Sequence, residues 1–277
     1  MLVDSHCHLD FPDFAEERED VIARAHAAGV GLMVTISTRV KRFDEVRAIA
    51  EAHDSVWCSV GTHPHNAAEE LDVSTADLVR LSAHPKVVAI GEAGLDYFYD
   101  RSPREAQAEG FRRHIAAARE TGLPLVIHSR DADEACFDVL RDWASAVGRY
   151  LGPDREIGMM HCFAGDLELA ERYMAIGFLI SIPGPVTFPG NDRGQLVARS
   201  IPLERMLVET DCPYLTPVPW RGRRNEPAYV AETARFIAGL RGIDATEVAR
   251  HTAQNAARLF GFDLAAIGQP PGFGETA

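Results

Sequence analysis

Short apolar runs rich in β-branched residues recur along this chain, separated by longer stretches whose apolar positions repeat at helical spacing. The runs predict strands at Leu2 to Cys7, Leu32 to Ser37, Val56 to Gly61, Val87 to Gly91, Leu123 to His128, Ile157 to His161, Phe178 to Ile182 and Met206 to Thr210. Helices are expected between them. Ser102-Pro103-Arg104-Glu105 reads as a capping box with proline in the first turn and Asp244 to Glu247 as another, while Gly29, Gly122 and Gly177 fall where helices should end. Strand and helix alternating over this length imply a parallel sheet covered by helices, either an open doubly wound sheet or a closed barrel. Eight such units favour an α/β fold of the TIM (β/α)8 type. With no linker or low-complexity segment in view, residues 1–262 read as a single domain and 263–277 as a loose C-terminal tail.

Composition changes the picture in four ways. The chain has 277 residues, 46% of them hydrophobic and 25% charged, which is enough to bury a large core. It contains no apolar run of about 18 residues and no basic leader, so a cytoplasmic location without a membrane anchor is expected. Cys7, Cys58, Cys136, Cys162 and Cys212 are odd in number and lack CxxC spacing, which fits reduced packing residues rather than disulfides or structural zinc. Finally, a formal net charge of −13 argues against a broad basic face for nucleic acid. Any contact with phosphate must be local.

The candidate chemistry begins at His6 and His8, whose alternate positions on a predicted strand project both imidazoles from one face. The later strands also end in polar residues: His63 and His65, Glu92 and Asp96, His128, His161, Asp211. All are expected at carboxyl ends of strands, the rim on which barrel active sites are built. Four imidazoles (His6, His8, His128, His161) and two carboxylates (Glu92, Asp211) suit zinc, manganese or nickel, and their oxygens also admit magnesium. Six donors exceed the needs of one tetrahedral ion. Two divalent ions bridged by Glu92 and a water accommodate them better. A carboxylated lysine as the bridge is excluded, because Lys41 and Lys86, the only lysines, are predicted far from this rim.

These residues lie in Asp4-Ser5-His6-Cys7-His8-Leu9, Gly61-Thr62-His63-Pro64-His65, Gly91-Glu92-Ala93-Gly94-Leu95-Asp96-Tyr97, Pro124 to Arg130, His161-Cys162-Phe163 and Glu209-Thr210-Asp211-Cys212-Pro213-Tyr214-Leu215. As a set, over residues 2 to about 261, they resemble the TatD-related metal-dependent deoxyribonucleases of the amidohydrolase superfamily. The loop Pro219 to Pro227 resembles that family's arginine- and asparagine-bearing loop, which marks Arg221 and Asn225 as substrate contacts. The resemblance implies a TIM barrel with two divalent metals (Mg2+, Mn2+ or Zn2+). His6, His8, Glu92 and Asp211 would hold one ion, and Glu92, His128 and His161 the other. His63 would lie near the substrate phosphate, with His65 beside it. Two departures, a longer segment at 145–156 and the tail, read as surface elaboration.

The expected reaction is attack of a metal-bound hydroxide on a phosphodiester of DNA, with Asp211 orienting the nucleophile and accepting its proton. A 3′–5′ exonuclease on single-stranded or frayed ends fits a chain without a basic face. Arg130, Arg221, Arg223 and Arg224 could neutralise flanking phosphates, and Tyr97 and Trp220 could stack on bases or only line a wall. The catalytic set is Asp211, Glu92 and His63. Three further expectations are that substrate contacts come from His63, His65, Arg130, Arg221 and Asn225, that the partner is DNA or another phosphate-containing molecule, and that no obligate protein partner is needed. Hydrolysis of aminoacyl-tRNA esters or of small esters and amides is the alternative on the same metals, and a noncatalytic metal-binding protein the remote one.

Overall fold

The structure, a computed structural model, describes residues 1–151, 156–266 and 273, with only the backbone described at 146–151. Its strands are β1 (Leu2–Cys7), β2 (Val30–Thr35), β3 (Val56–Val60), β4 (Val87–Asp96), β5 (Leu125–Arg130), β6 (Gly158–Met160), β7 (Phe178–Ile182) and β8 (Met206–Val208). The helices between and after them are α1 (Arg18–Ala27), α2 (Phe43–Ala52), α3 (Thr75–Ser82), α4 (Arg104–Thr121), α5 (Asp133–Leu151), α6 (Leu167–Ala175), α7 (Asp192–Ser200), α8 (Val230–Arg241) and α9 (Ala245–Phe260). All neighbouring strands pair in parallel in the order β1 to β8. The ring closes just beyond β8, where Asp211 N donates to His6 O at 2.9 Å and His8 N donates to Cys212 O at 3.0 Å.

Val3, Leu32, Val88, Val126, Met159, Leu179 and Leu207 form one buried cluster with Ala253, Ala256 and Leu259 of α9. Residues from opposite sides of the ring can meet only inside it, so this cluster is the barrel interior. A larger cluster lies between the strands and the surrounding helices.

Several predicted boundaries shift. Strand β2 begins at Val30, directly after Gly29, and β4 and β5 run on to Asp96 and Arg130. Glu92 and His128 therefore lie within strands, because pairing resumes at Ala93 and Ile127 after a register shift. Glycine allows the close approach: Gly94 has φ of 144°, and a Cβ there would run into the His128 carbonyl oxygen. The capping box expected at Ser102 is absent. Ser102 Oγ instead donates to His65 O at 2.8 Å and accepts from Ala68 N at 3.1 Å, so a tertiary use displaces the local one. Asp244 does cap α9, accepting from Thr246 N, and a full capping box occurs at Ser74 and Asp77. Gly122 is the left-handed residue ending α4 as expected.

Of the segment expected to be surface elaboration, 145–151 continues α5 and 152–155 lie outside the described residues. In the tail, 267–272 and 274–277 lie outside them, while Phe273 is buried against the core with the Arg235 guanidinium 5.1 Å from its ring. Among the described residues no helix is long and apolar enough to cross a membrane.

Candidate metal centre

His6 and His8 stand at the end of β1, Glu92 within β4, His128 within β5, His161 directly after β6 and Asp211 just past β8. Ring closure brings all six together. His6 Nε2 lies 3.3 Å from His8 Nε2, 3.4 Å from Glu92 Oε2 and 3.7 Å from Asp211 Oδ1, and His8 Nε2 lies 3.3 Å from Asp211 Oδ1. The other Glu92 oxygen, Oε1, is 2.9 Å from His128 Nδ1 and 3.5 Å from His161 Nε2. Glu92 thus turns one oxygen toward each of two donor groups. Ligand bonds of about 2.1 Å set tetrahedral donors about 3.4 Å apart, so the separations among His6, His8, Glu92 and Asp211 fit a divalent ion. On the other side His128 and His161 each approach Glu92 Oε1, while the His161 ligand atom also clusters with those of His6 and Asp211.

Hydrogen-bond partners decide which ring nitrogens can ligate. His8 Nδ1 lies 3.1 Å from the Ile36 carbonyl oxygen, which can only accept, so the neutral ring keeps its hydrogen there and offers an Nε2 lone pair. In His128 the roles reverse: Nε2 faces Asp96 Oδ2 at 3.1 Å and Nδ1 is left for the centre. His161 Nδ1 faces Glu209 Oε1 at 3.0 Å and leaves Nε2. His63 differs from all of these. Its Nε2 is 3.4 Å from Glu92 Oε1, and proximity alone would group it with Glu92 and His128 as a ligand. Yet His63 Nδ1 accepts the His65 backbone N–H at 3.0 Å, which puts the hydrogen of a neutral ring on Nε2. Burial keeps that ring neutral by holding its pKa well below the ordinary value. It presents a hydrogen-bond donor.

The electrostatics ask for a cation. Burial disfavours a charged His161, but Glu209, Glu92 and Asp211 outweigh it and push the imidazole up to about 10. His8 rises to about 8 against the same burial because of Asp211. Glu92 is held well below the usual carboxylate range, burial being overcome by His63, His161, His128 and His6. Protons stored on rings among carboxylates occupy the place where a metal ion would satisfy both. Asp211 and Cys162 flank this centre with left-handed backbones, φ 55° and 47°, a strained conformation for residues with a Cβ.

A cavity of about 950 Å³ opens above the centre, and His8, His63, His65, Glu92, Asp96, His128, Arg130, His161 and Asp211 are among its lining residues. The arginine-bearing loop departs from expectation. Arg221 stacks 4.1 Å from the Phe188 ring and Arg224 binds Glu17, and neither lines the cavity. Asn225 is wholly buried: its amide donates to Thr210 O and Tyr214 O and accepts from Glu226 N, so every polar atom serves the chain's own backbone. Tyr97 packs under Arg104 and Trp220 stacks on Tyr229, so neither reaches the cavity. Cys162, expected only to pack, is part of the cavity wall.

Of the positioning residues, Glu209 and Asp4 were missed in the sequence, while Asp96 was singled out there without a role. Glu209 faces His161 and accepts from Cys162 N at 2.6 Å and Ser181 Oγ at 2.6 Å. Asp96 Oδ2 takes both His65 Nε2 at 2.8 Å and His128 Nε2. Asp4 holds Thr210 through its N–H at 3.0 Å and hydroxyl at 2.6 Å, and burial pushes its carboxyl up to about 8. Alternation with His6 and His8 was a signal for Asp4, as alternation with Asp211 was for Glu209.

The chain is similar to known proteins along nearly its whole length. The chain is 42% identical over 261 residues to the uncharacterized metal-dependent hydrolase YabD of Bacillus subtilis, covering 94% of this chain and 99% of that one. It is 37% identical over 267 residues to the 3′-5′ ssDNA/RNA exonuclease TatD of Erwinia tasmaniensis, covering 94% and 99%. The crystal structure of YJJV, a TatD homolog from Escherichia coli K12, superposes with a TM-score of 0.86 at 31% identity, covering 95% of this chain and 98% of that one. The profile of the TatD related DNase family matches residues 3–261, and the chain belongs to that family of metal-dependent hydrolases.

Proposed function

We propose that this hydrolase cleaves phosphodiester bonds with two divalent ions and acts as a 3′–5′ exonuclease on single-stranded or frayed DNA ends. The observation that carries the reading is the division of Glu92, one oxygen toward His6, His8 and Asp211 and the other toward His128 and His161. Bound there, divalent ions would supply Lewis acidity and lower the pKa of water toward about 7. His6, His8, Glu92 and Asp211 would hold one ion, and Glu92, His128 and His161 the other. The printed activity of the Erwinia relative supports the substrate class.

The remaining work falls to side chains. Asp211, 15% exposed, faces the cavity and would orient the attacking water and accept its proton. The bond to the upstream 3′ oxygen breaks as that oxygen leaves and gains a proton, releasing the terminal nucleotide. His63 would donate its Nε2 hydrogen to a phosphate oxygen without adding charge, and Arg130 would neutralise a neighbouring phosphate.

End-labelled single-stranded DNA, given to metal-stripped protein with magnesium, manganese or zinc restored, tests the reading. Metal-dependent trimming from the 3′ end, lost in Asp211→Asn by at least about 100-fold with the fold intact, is the expected result. Absence of cleavage with every metal would sink it and move the assay to aminoacyl esters.

A further inference from the structure

We propose, resting on the nuclease reading above, that Tyr99, Tyr214, Arg101 and Arg130 form a subsite that grips the nucleotide next to the one removed. The Tyr214 face takes the base, and Arg101 and Arg130, seated against the Tyr99 ring, take its phosphate.

The two aromatic platforms follow β4 and β8, on opposite sides of the ring, and the backbone of each is tied to an aspartate beside the centre. Tyr99 N donates to Asp96 Oδ1 at 2.9 Å, while the other oxygen of Asp96 holds His65 and His128. Tyr214 N donates to the Asp211 carbonyl oxygen at 3.0 Å. Both backbones are anchored while the rings face solvent, Tyr99 46% and Tyr214 57% exposed. A large aromatic this exposed beside a polar cavity suits sequence-tolerant stacking of an unpaired base.

Charge complementarity points to an anion between them. The rim arginines Arg39 and Arg42 are neutralised by Glu69 and Glu45. Among the described residues, Arg101 and Arg130 pair with no carboxylate, although the chain carries a net charge of −13. Instead their guanidiniums lie 5.2 and 4.6 Å from the Tyr99 ring centre, a stacked geometry that leaves their N–H edges free for phosphate oxygens. With both guanidiniums at the Tyr99 ring the phosphate is directed to that wall and a base to Tyr214, whose ring meets Phe11 edge-on at 6.1 Å.

The test is fluorescence anisotropy of labelled pentathymidylate on metal-loaded protein carrying Asp211→Asn to prevent cleavage. Tyr214→Ala is expected to weaken binding about ten-fold, and Tyr214→Phe, which keeps the stacking face, by less than about two-fold. Tyr214→Ala should not weaken an abasic pentamer of equal charge, whereas Tyr99→Ala, which unseats both guanidiniums, should weaken both strands. Arg101→Ala and Arg130→Ala should weaken both strands and lower the logarithmic salt slope by about 0.7 each. Unchanged pentathymidylate binding in Tyr214→Ala overturns the assignment, as does an equal loss for the abasic strand in that variant. Pentathymidylate cleavage by the unsubstituted chain is followed in parallel. Cleavage with those failed binding results rejects the subsite and keeps the nuclease, whereas neither binding nor cleavage rejects both.

Discussion

At the residue scale, the division of labour among the histidines is set by what each second ring nitrogen touches. His8 and His128 give a hydrogen to a carbonyl or carboxylate, His161 sets its Nδ1 3.0 Å from the Glu209 carboxylate, and all three keep a lone pair for the centre, whereas His63 accepts a backbone N–H and is left as a donor. These histidines were legible in the sequence by their type and spacing. Their partners were not, because Glu209 and Asp96 reach the rings across β-strands that only the closed ring places side by side. Glu209→Gln would keep the hydrogen bonds to Cys162 and Ser181 but remove the charge opposite His161. Divalent-metal affinity is expected to fall about ten- to a hundred-fold with thermal stability nearly unchanged, which isothermal titration of the metal-free protein would measure. Undiminished affinity would show that Glu209 does not tune this ligand.

At the scale of elements, β4 is the critical piece. Gly91 and Gly94 let it pass close to β5, with φ of 141° and 144°, and this approach carries Glu92 to the middle of the centre. Gly94→Ala would drive a methyl into the His128 carbonyl oxygen and is expected to cost about 2 kcal/mol or more, read as a lower urea midpoint. An unchanged midpoint would contradict that packing. Helix α4 supports the neighbouring strand end through His114, whose Nε2 accepts Thr62 N at 2.9 Å and whose Nδ1 donates to Gly110 O at 2.7 Å. Burial lowers the His114 imidazole to about 4. Below about 6.5 the unfolded chain binds this proton and the folded one does not, so the stability it contributes is complete above that pH and is lost as pH falls toward 4. About 2 kcal/mol should disappear between pH 7.5 and 5, in excess of any change in His114→Asn, by urea unfolding of the metal-free protein. Equal pH slopes in the two chains would refute a neutral His114.

For the whole molecule, the acidic surface and the cavity arginines make opposite demands on an anionic substrate. With contact limited to about two phosphates, the logarithm of single-strand affinity should fall with the logarithm of salt at a slope near −1.4, far shallower than for a protein with a basic face. A slope steeper than about −4 would require a phosphate track outside the cavity. Overall negative charge also disfavours long duplex, and a competition between frayed and blunt ends would report that preference.

Periodicity alone revealed eight strands alternating with helices, because a strand or helix is written locally in the spacing of its apolar residues, and their number favoured a barrel over an open sheet. The residue types at the strand ends revealed metal chemistry for the same reason: imidazole and carboxylate carry their ligand character wherever they are placed. What needed the tertiary structure was every property arising between strands. The split of Glu92 between two donor groups, the donor role of His63, the burial of Asn225 and the removal of Arg221 from the cavity all depend on which atoms lie within about 3 Å, a hydrogen-bond distance that sequence separation does not encode. The rim followed the same rule, since Tyr99 and Tyr214 are separated along the chain and share a cavity only because the parallel ring closes.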